Sequence, residues 1–215
     1  MEREPRQYWE GAHEKYSDAE WIHKPTMFAE SVLEYFPSEG KVLDAGCGQG
    51  QDSRFFASKG YEVIGIDFAS EGIARAIEKT SAELKDRVTF IQADLAESLP
   101  FPDAEFDVVH CHLAAHYFSS ETTQQIMKEF ARVLKRNGVL TLLLNSVHDS
   151  EYGNGERIED DYFVVNGIKK RYFSADSLKR FTEDFETEIL DESGETFKDR
   201  AVGNSNLVRF VGRKK

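Results

Sequence analysis

Three glycines at alternate positions, directly behind a short apolar run that ends in an acid, constrain this chain more than any other stretch: Lys41-Val42-Leu43-Asp44-Ala45-Gly46-Cys47-Gly48-Gln49-Gly50-Gln51-Asp52-Ser53. The apolar run reads as a strand, and Asp52 to Ser58 has helical period, so the glycines make a tight turn from strand into helix. Such a turn aims backbone N–H groups at a ligand from a helix N-terminus, and in an open α/β sheet that ligand lies beyond the C-terminal ends of the strands. Spacing narrows the ligand. A dinucleotide fingerprint wants its third glycine at position 51, which is Gln51, whereas the pattern here is Gly46-x-Gly48-x-Gly50 behind Asp44.

Two further strands end in the same way. Tyr61 to Ile66 is an apolar run closed by Asp67, which lies 21 residues beyond Gly46, near the separation at which βαβ nucleotide sites place a carboxylate on ribose hydroxyls. Phe68 beside it offers a surface for an adenine ring. A helix is expected over 71–84, and then Val88 to Ala93 is a third strand tipped by Asp94 and Leu95. One acid at a strand end is an ordinary helix cap; Asp44, Asp67 and Asp94 in register mark a common ligand-binding edge.

Phe106 to Cys111 reads as a fourth strand, followed by His112-Leu113-Ala114-Ala115-His116-Tyr117-Phe118, a helix over 122–134, a turn at 135–138 and a fifth strand over 139–145. Residues 1–24 carry Tyr8, Trp9, Tyr16 and Trp21 among many charges, an aromatic helix that either staples to the domain or covers its site. Pro25 suits the first turn of a helix through Phe28, Val32, Leu33 and Phe36. Asp161 to Val165 and Ile168 to Phe173 are β-prone runs joined by Asn166-Gly167, a strong hairpin signal. The hairpin leaves the C-terminal end of the fifth strand, so it should lie over the binding face. Ser174 caps a helix through Leu178 and Phe181, and residues 185–190 and 206–212 alternate as two final strands, antiparallel at one edge.

Composition bounds the function. A chain of 215 residues fits one domain, and its formal charge of −12 repels phosphate-rich partners, which makes nucleic acid a poor substrate. No apolar run approaches the ~20 residues of a membrane helix and the N-terminus lacks a signal-like apolar core, so a cytoplasmic protein without a membrane partner is expected. Cys47 and Cys111 suit reduced thiols rather than a disulfide. His110, Cys111, His112 and His116 have the look of a zinc set, but neighbours on a strand point to opposite sides and no further ligand is suitably spaced, so no metal is expected. His116 could equally pack structurally or wall a substrate pocket.

The glycine pattern behind Asp44, with Asp67, Asp94-Leu95, the Leu99 to Cys111 stretch and the Arg132-Val133-Leu134-Lys135 step in order, resembles the class I S-adenosylmethionine (SAM)-dependent methyltransferases. His112 to Phe118, 145–152 and 168–174 look most like the small-molecule enzymes of the tellurite-resistance type. The resemblance implies a Rossmann-like, doubly wound, mostly parallel seven-stranded sheet with an antiparallel edge strand, in one domain over 1–215. Residues 1–36 would be a helical lid, 37–145 the SAM-binding core, 146–173 a β-hairpin lid, and 174–215 the last helix and edge strands.

It implies SAM as cofactor, S-adenosylhomocysteine as product, and contacts from Asp44, Gly46, Cys47, Gly48, Gly50, Asp67, Phe68, Asp94, Leu95, Cys111 and His112. The acceptor would be a small molecule, and the protein a monomer or homodimer. A soft nucleophile needs no base; for oxygen or nitrogen the candidates are His116, Tyr16 and His148. The Asn/Asp-Pro-Pro-aromatic signature for planar nitrogens is missing after the fourth strand, and the two cysteines cannot form an arsenic-binding thiol cluster. A SAM-binding protein without catalysis and a nicotinamide oxidoreductase stand as alternatives.

Overall fold

The computed structural model describes residues 5–16, 19–196 and 205–215. Its frame is a seven-stranded sheet. The first five strands, β1 (Lys41–Ala45), β2 (Glu62–Asp67), β3 (Val88–Gln92), β4 (Phe106–His112) and β5 (Leu134–Leu144), pair in parallel in the spatial order β3-β2-β1-β4-β5. Beyond β5 lie β10 (Leu207–Lys214), antiparallel to both its neighbours, and then β9 (Phe185–Gly194). Parallel strands need crossovers, and α3 (Gln51–Ser58), α4 (Ser70–Glu78) and α5 (Ser120–Val133) supply them on both faces.

Alternation along the strands divides the interior. Leu43, Val109 and Leu142 join Ile126, Met127 and Phe130 of α5 on one face, whereas Val42, Val108 and Leu143 pack with Phe56 of α3 and Phe28 and Val32 of α2 (Met27–Val32) on the other. The order changes direction between β1 and β4, so the two chains leaving those strands part in opposite senses and open a crevice over their C-terminal ends.

Several boundaries differ from expectation for local reasons. The helix expected over 71–84 stops at Glu78: Lys79 N donates to Arg75 O, the Thr80 hydroxyl donates to Ala76 O, and Ser81 is extended before a separate 3-10 turn, Ala82–Leu84. The turn expected at 135–138 is a bulge within β5, where Phe106 pairs with Leu134 and Val108 with Val139, and Asn137 takes φ 61 inside it. Helix α2 is capped by the Thr26 hydroxyl, which accepts from Ala29 N at 3.1 Å, so Pro25 precedes the helix rather than entering its first turn.

The hairpin is real and larger than expected. β7 (Tyr162–Val165) and β8 (Ile168–Arg171) turn at Asn166 and Gly167, both with positive φ, and β6 (Glu156–Glu159) adds a third antiparallel strand. A bridge between Ser146 and Phe173 ties this small sheet to the end of β5, and α6 (Ala175–Lys179) follows with a capping box between Ser174 and Ser177. The N-terminal helix, α1 (Pro5–Lys15), runs over the start of α4.

Candidate functional site

The glycine turn closes on itself, Gly50 N donating to Cys47 O at 2.8 Å, and is anchored to β2. Gly46 N and Cys47 N both donate to Ile66 O, at 2.8 and 2.9 Å, and Gly50, at φ 72, is the N-cap of α3. Gly46 has φ 78, and a Cβ there would lie 2.2 Å from the Ala114 Cβ, so the loop after β4 rests directly on the turn. Asp67 locks the arrangement: its carboxylate accepts from Gly48 N and from Ala69 N, each at 2.9 Å. Each oxygen keeps a lone pair, which is the acceptor set that a pair of vicinal hydroxyls requires. Burial pushes the Asp67 pKa above the usual carboxylate range, against the pull of the Ala69 N–H, of His13 and of the Gly48 N–H.

Asp44 lies beneath the turn, wholly buried. Burial raises its pKa to about 6, although the charge of His110 and the Ser53 hydroxyl, donating at 2.5 Å, oppose the rise. Asp52, in the first turn of α3, is as deeply buried but is fully paired. It accepts from Thr26 N at 2.7 Å and the Thr26 hydroxyl at 2.8 Å, and stands 3.3 Å from His110 Nε2, whose Nδ1 is 2.9 Å from the Thr141 hydroxyl. Burial works to raise Asp52, and the His110 bond and charge with the Thr26 N–H outweigh it and hold its pKa low. Asp94, past β3, spends one oxygen on Ala96 N at 2.9 Å. The chemistry suits a nucleoside: acids with spare acceptor capacity at β2 and β3, and close backbone between them.

Helix α1 covers this edge. Glu10 caps α4, accepting from Ser70 N, the Ser70 hydroxyl and Glu71 N at 2.9, 2.9 and 2.7 Å. His13 is wedged between the turn and α4, 3.2 Å from where a Cβ on Gly48 would stand and 3.0 Å from one on Gly72, and its carbonyl accepts from Gln49 Nε2 at 2.9 Å. Burial lowers the His13 pKa against the attraction of Asp67, Glu10 and Glu71. Trp9 packs edge-on to Tyr117 at 5.2 Å, so the aromatic helix reaches the loop after β4 as well.

That loop is clamped to the small sheet by Arg171 and Tyr162. Arg171, 1% exposed, donates from its backbone to His116 O at 2.7 Å, and from its guanidinium to Phe118 O at 3.0 Å, Asp160 O at 3.1 Å and Glu159 Oε2 at 2.5 Å; the Tyr162 hydroxyl donates to Tyr117 O at 3.0 Å. Lysine has one point charge where this site needs a fork, so Arg171→Lys is expected to lower the thermal midpoint and to expose the 116–118 loop to hydrogen exchange. Each stranded carbonyl contributes about 1–3 kcal/mol to that loss.

Of the residues expected at the site, Asp44, Gly46, Cys47, Gly48, Gly50 and Asp67 come together at the turn, Phe68, Asp94 and Leu95 flank it, His112 ends β4 and His116 follows it. Cys111 belongs to the hydrophobic core, where burial pushes its thiol up to about 12. Cys47 is buried with its pKa raised well above normal, which leaves neither thiol a nucleophile.

Of the candidate bases, Tyr16 lies just past α1, 42% exposed, with its ring 6.0 Å from that of Trp21, and His148 is a surface side chain paired with Glu192 at 2.7 Å. Among the described residues no three His, Cys, Asp or Glu side chains converge as a metal site, and no helix is long and apolar enough to cross a membrane. Sequence reasoning did not find Glu10, His13, Asp52 or Arg171. The spacing of Glu10 and His13 on one helical face was the one local signal, and it does not identify a partner 60 residues away.

Comparison with known proteins agrees with this geometry. A family model described as a methyltransferase domain matches residues 42–138. The uncharacterized methyltransferase YcgJ of Bacillus subtilis is 39% identical over 106 residues, 49% of this chain and 41% of that protein, so the match spans less than half of that curated relative. A crystal structure of a SAM-dependent methyltransferase from Methanosarcina mazei has a TM-score of 0.73 at 26% identity, covering 86% of this chain and 96% of that one. TehB from Haemophilus influenzae shares the fold, with a TM-score of 0.65 at 21% identity over 87% of this chain and 61% of its own.

Proposed function

We propose, from a chain that belongs by domain and by fold to the class I SAM-dependent methyltransferases, that this protein transfers the methyl group of SAM to a small-molecule acceptor by in-line displacement, with release of S-adenosylhomocysteine. The observation that carries the reading is Asp67, held at the end of β2 by two backbone N–H groups and still able to accept two hydroxyls. When bound, SAM supplies an electrophilic methyl on a sulfonium.

The chain supplies the rest. Asp67 would hold the ribose, Asp94 with Leu95 and Phe68 the adenine, and the turn from Gly46 to Gly50 the amino-acid end beside Asp44. The Trp9 side of α1 and the small sheet would exclude water from the C-terminal end of β4, where the acceptor would meet the methyl. Holding two reactants in line in this way supplies ~7–11 kcal/mol of the barrier reduction.

Calorimetry with SAM, followed by turnover to S-adenosylhomocysteine over thiol, hydroxyl, oxyanion and amine acceptors, tests the proposal. SAM binding is expected, and Asp67→Ala is expected to weaken it more than tenfold, since each charge-assisted hydrogen bond contributes about 1.5–3 kcal/mol. Binding of a nicotinamide cofactor in place of SAM would overturn the reading. Tight SAM binding without turnover on any acceptor would reduce the protein to a SAM-binding one.

A further inference from the structure

Buried polar groups in folded proteins have partners, and an orphan costs about 1–3 kcal/mol. Three side chains around the end of β4 and the edge of β8 break this rule: His112 Nε2, His116 Nδ1 and the Tyr172 hydroxyl are each buried with no hydrogen-bond partner. His116 and Tyr172 are 1% exposed. Their backbones are tied, Arg171 N to His116 O and Tyr172 N to Asp161 O at 2.8 Å, and their rings are packed, His116 on Tyr117 at 4.3 Å and Tyr172 edge-on to Tyr152 and Phe163 at 5.5 and 6.1 Å. Rigid and unsatisfied polar atoms in one neighbourhood point to a ligand that completes them.

The charge of the neighbourhood says what kind of ligand. Of the three cations of β8, Lys170 is paired with Glu151 and Arg171 with Glu159, and Lys169 is not without a partner. Burial, with Lys170 and His112 nearby, keeps the His116 imidazole neutral by lowering its pKa to about 3, and burial lowers His112 to about 4. A carboxylate or phosphate would lose its water here and find Lys170 and Arg171 already paired with carboxylates, inside a protein of net charge −12. A neutral hydroxyl suits what is present: a neutral imidazole has one nitrogen lone pair to accept its proton, and a phenol both donates and accepts. Tyr117, 4.3 Å from the His116 ring, gives the space an aromatic wall.

We propose that the acceptor is an uncharged molecule with an aromatic body and a hydroxyl group, received between His116 and Tyr172, with His116 taking the hydroxyl proton. This rests on the methyl-transfer reading. The acceptor oxygen forms its bond to the methyl carbon while the carbon–sulfur bond breaks and its electron pair stays on the neutral S-adenosylhomocysteine. The hydroxyl proton, made strongly acidic as the new bond forms, passes to the lone pair of the His116 imidazole. A weakly basic imidazole suffices because the acid it meets is an oxonium-like group rather than a resting alcohol.

The test uses matched probes: phenyl, naphthyl and indolyl scaffolds, each as hydroxyl and as carboxylate, titrated into the protein with and without S-adenosylhomocysteine, then assayed with SAM. Hydroxyl members are expected to bind at least tenfold more tightly than their carboxylate counterparts and to be methylated. His116→Gln is expected to lower kcat by 10²–10⁴-fold with the KM for SAM unchanged, the range of a lost general base. Tyr172→Phe is expected to raise the acceptor KM and leave kcat nearly intact, a split that general loosening of the fold would not give.

Preference for carboxylates, absence of any hydroxyl binding with or without S-adenosylhomocysteine, or a His116→Gln kcat within threefold of the parent would overturn the proposal. Failure of SAM itself to bind would strike the methyl-transfer reading instead, and the probe titration without cofactor would still decide the pocket.

Discussion

Gly46→Ala is expected to abolish measurable SAM binding and to lower the thermal midpoint. The added methyl would stand 2.2 Å from the Ala114 Cβ, so either the turn or the loop after β4 must move. Overpacking of this kind costs about 1–3 kcal/mol. The φ of 78 adds a left-handed penalty of roughly 1–2 kcal/mol for any residue with a Cβ. Together these are a large fraction of a typical domain stability of about 5–15 kcal/mol.

The double variant Gly46→Ala with Ala114→Gly separates the two terms. It removes the collision and leaves the backbone strain, so calorimetry and thermal melting should show partial recovery. Full recovery would mean the strain is small, and no recovery would mean that the Ala114 contact is not what holds the turn.

Asp44→Asn should act in the opposite sense on stability. The pKa of Asp44 is about 6 in the folded chain, above the ~3.9 of an unfolded aspartate. Between those values the folded state binds more protons, so stability falls as pH rises. The contribution is fully present below about pH 4 and is lost as pH passes 6, for a total of ~3 kcal/mol at ~1.4 kcal/mol per unit. Asparagine cannot titrate and can still accept from Ser53.

Urea unfolding of the parent and Asp44→Asn at pH 4 and pH 7.5 should therefore show the variant gaining roughly 3 kcal/mol on the parent across that range. A difference that does not change with pH would remove the buried charge from Asp44. The same variant is expected to bind SAM more weakly, because a charge kept buried at that cost beside a cationic cofactor fits function better than folding.

Sequence was most informative where one residue type had to meet one backbone geometry. The glycines and Asn166-Gly167 stand at backbone conformations that admit few alternatives, and the three acids stand at or just past the ends of strands that apolar runs delimit. It was least informative about long-range pairing. Periodicity marks Asp52 as a first-turn acid of a helix, but its partners Thr26 and His110 lie 26 and 58 residues away, and nothing local connects them. Arg171 stands in a run of basic residues whose alternation says only that it faces away from Lys170, and its burial depends on carbonyls that the loop at 116–118 happens to turn inward. At 135–138 the sequence marks a turn, and only the pairing with β4 makes it a bulge inside a strand, with Asn137 at φ 61.

Because Arg171 ties the small sheet to the loop after β4 through two hydrogen bonds, to His116 O and Phe118 O, and to its own sheet through two more, to Asp160 O and Glu159, the two walls of the proposed acceptor site are one body. Their ordering is completed when the chain folds, not when an acceptor arrives. Acceptor binding at the proposed site should then show the calorimetric signature of a preorganised site, a negative heat-capacity change from its aromatic walls with little entropic penalty from the small sheet. The bridging contacts of Glu10, His13 and Trp9 leave α1 as the separately attached cover, so exchange of bound molecules would be timed by the N-terminal helix while selectivity is set by parts that stay still.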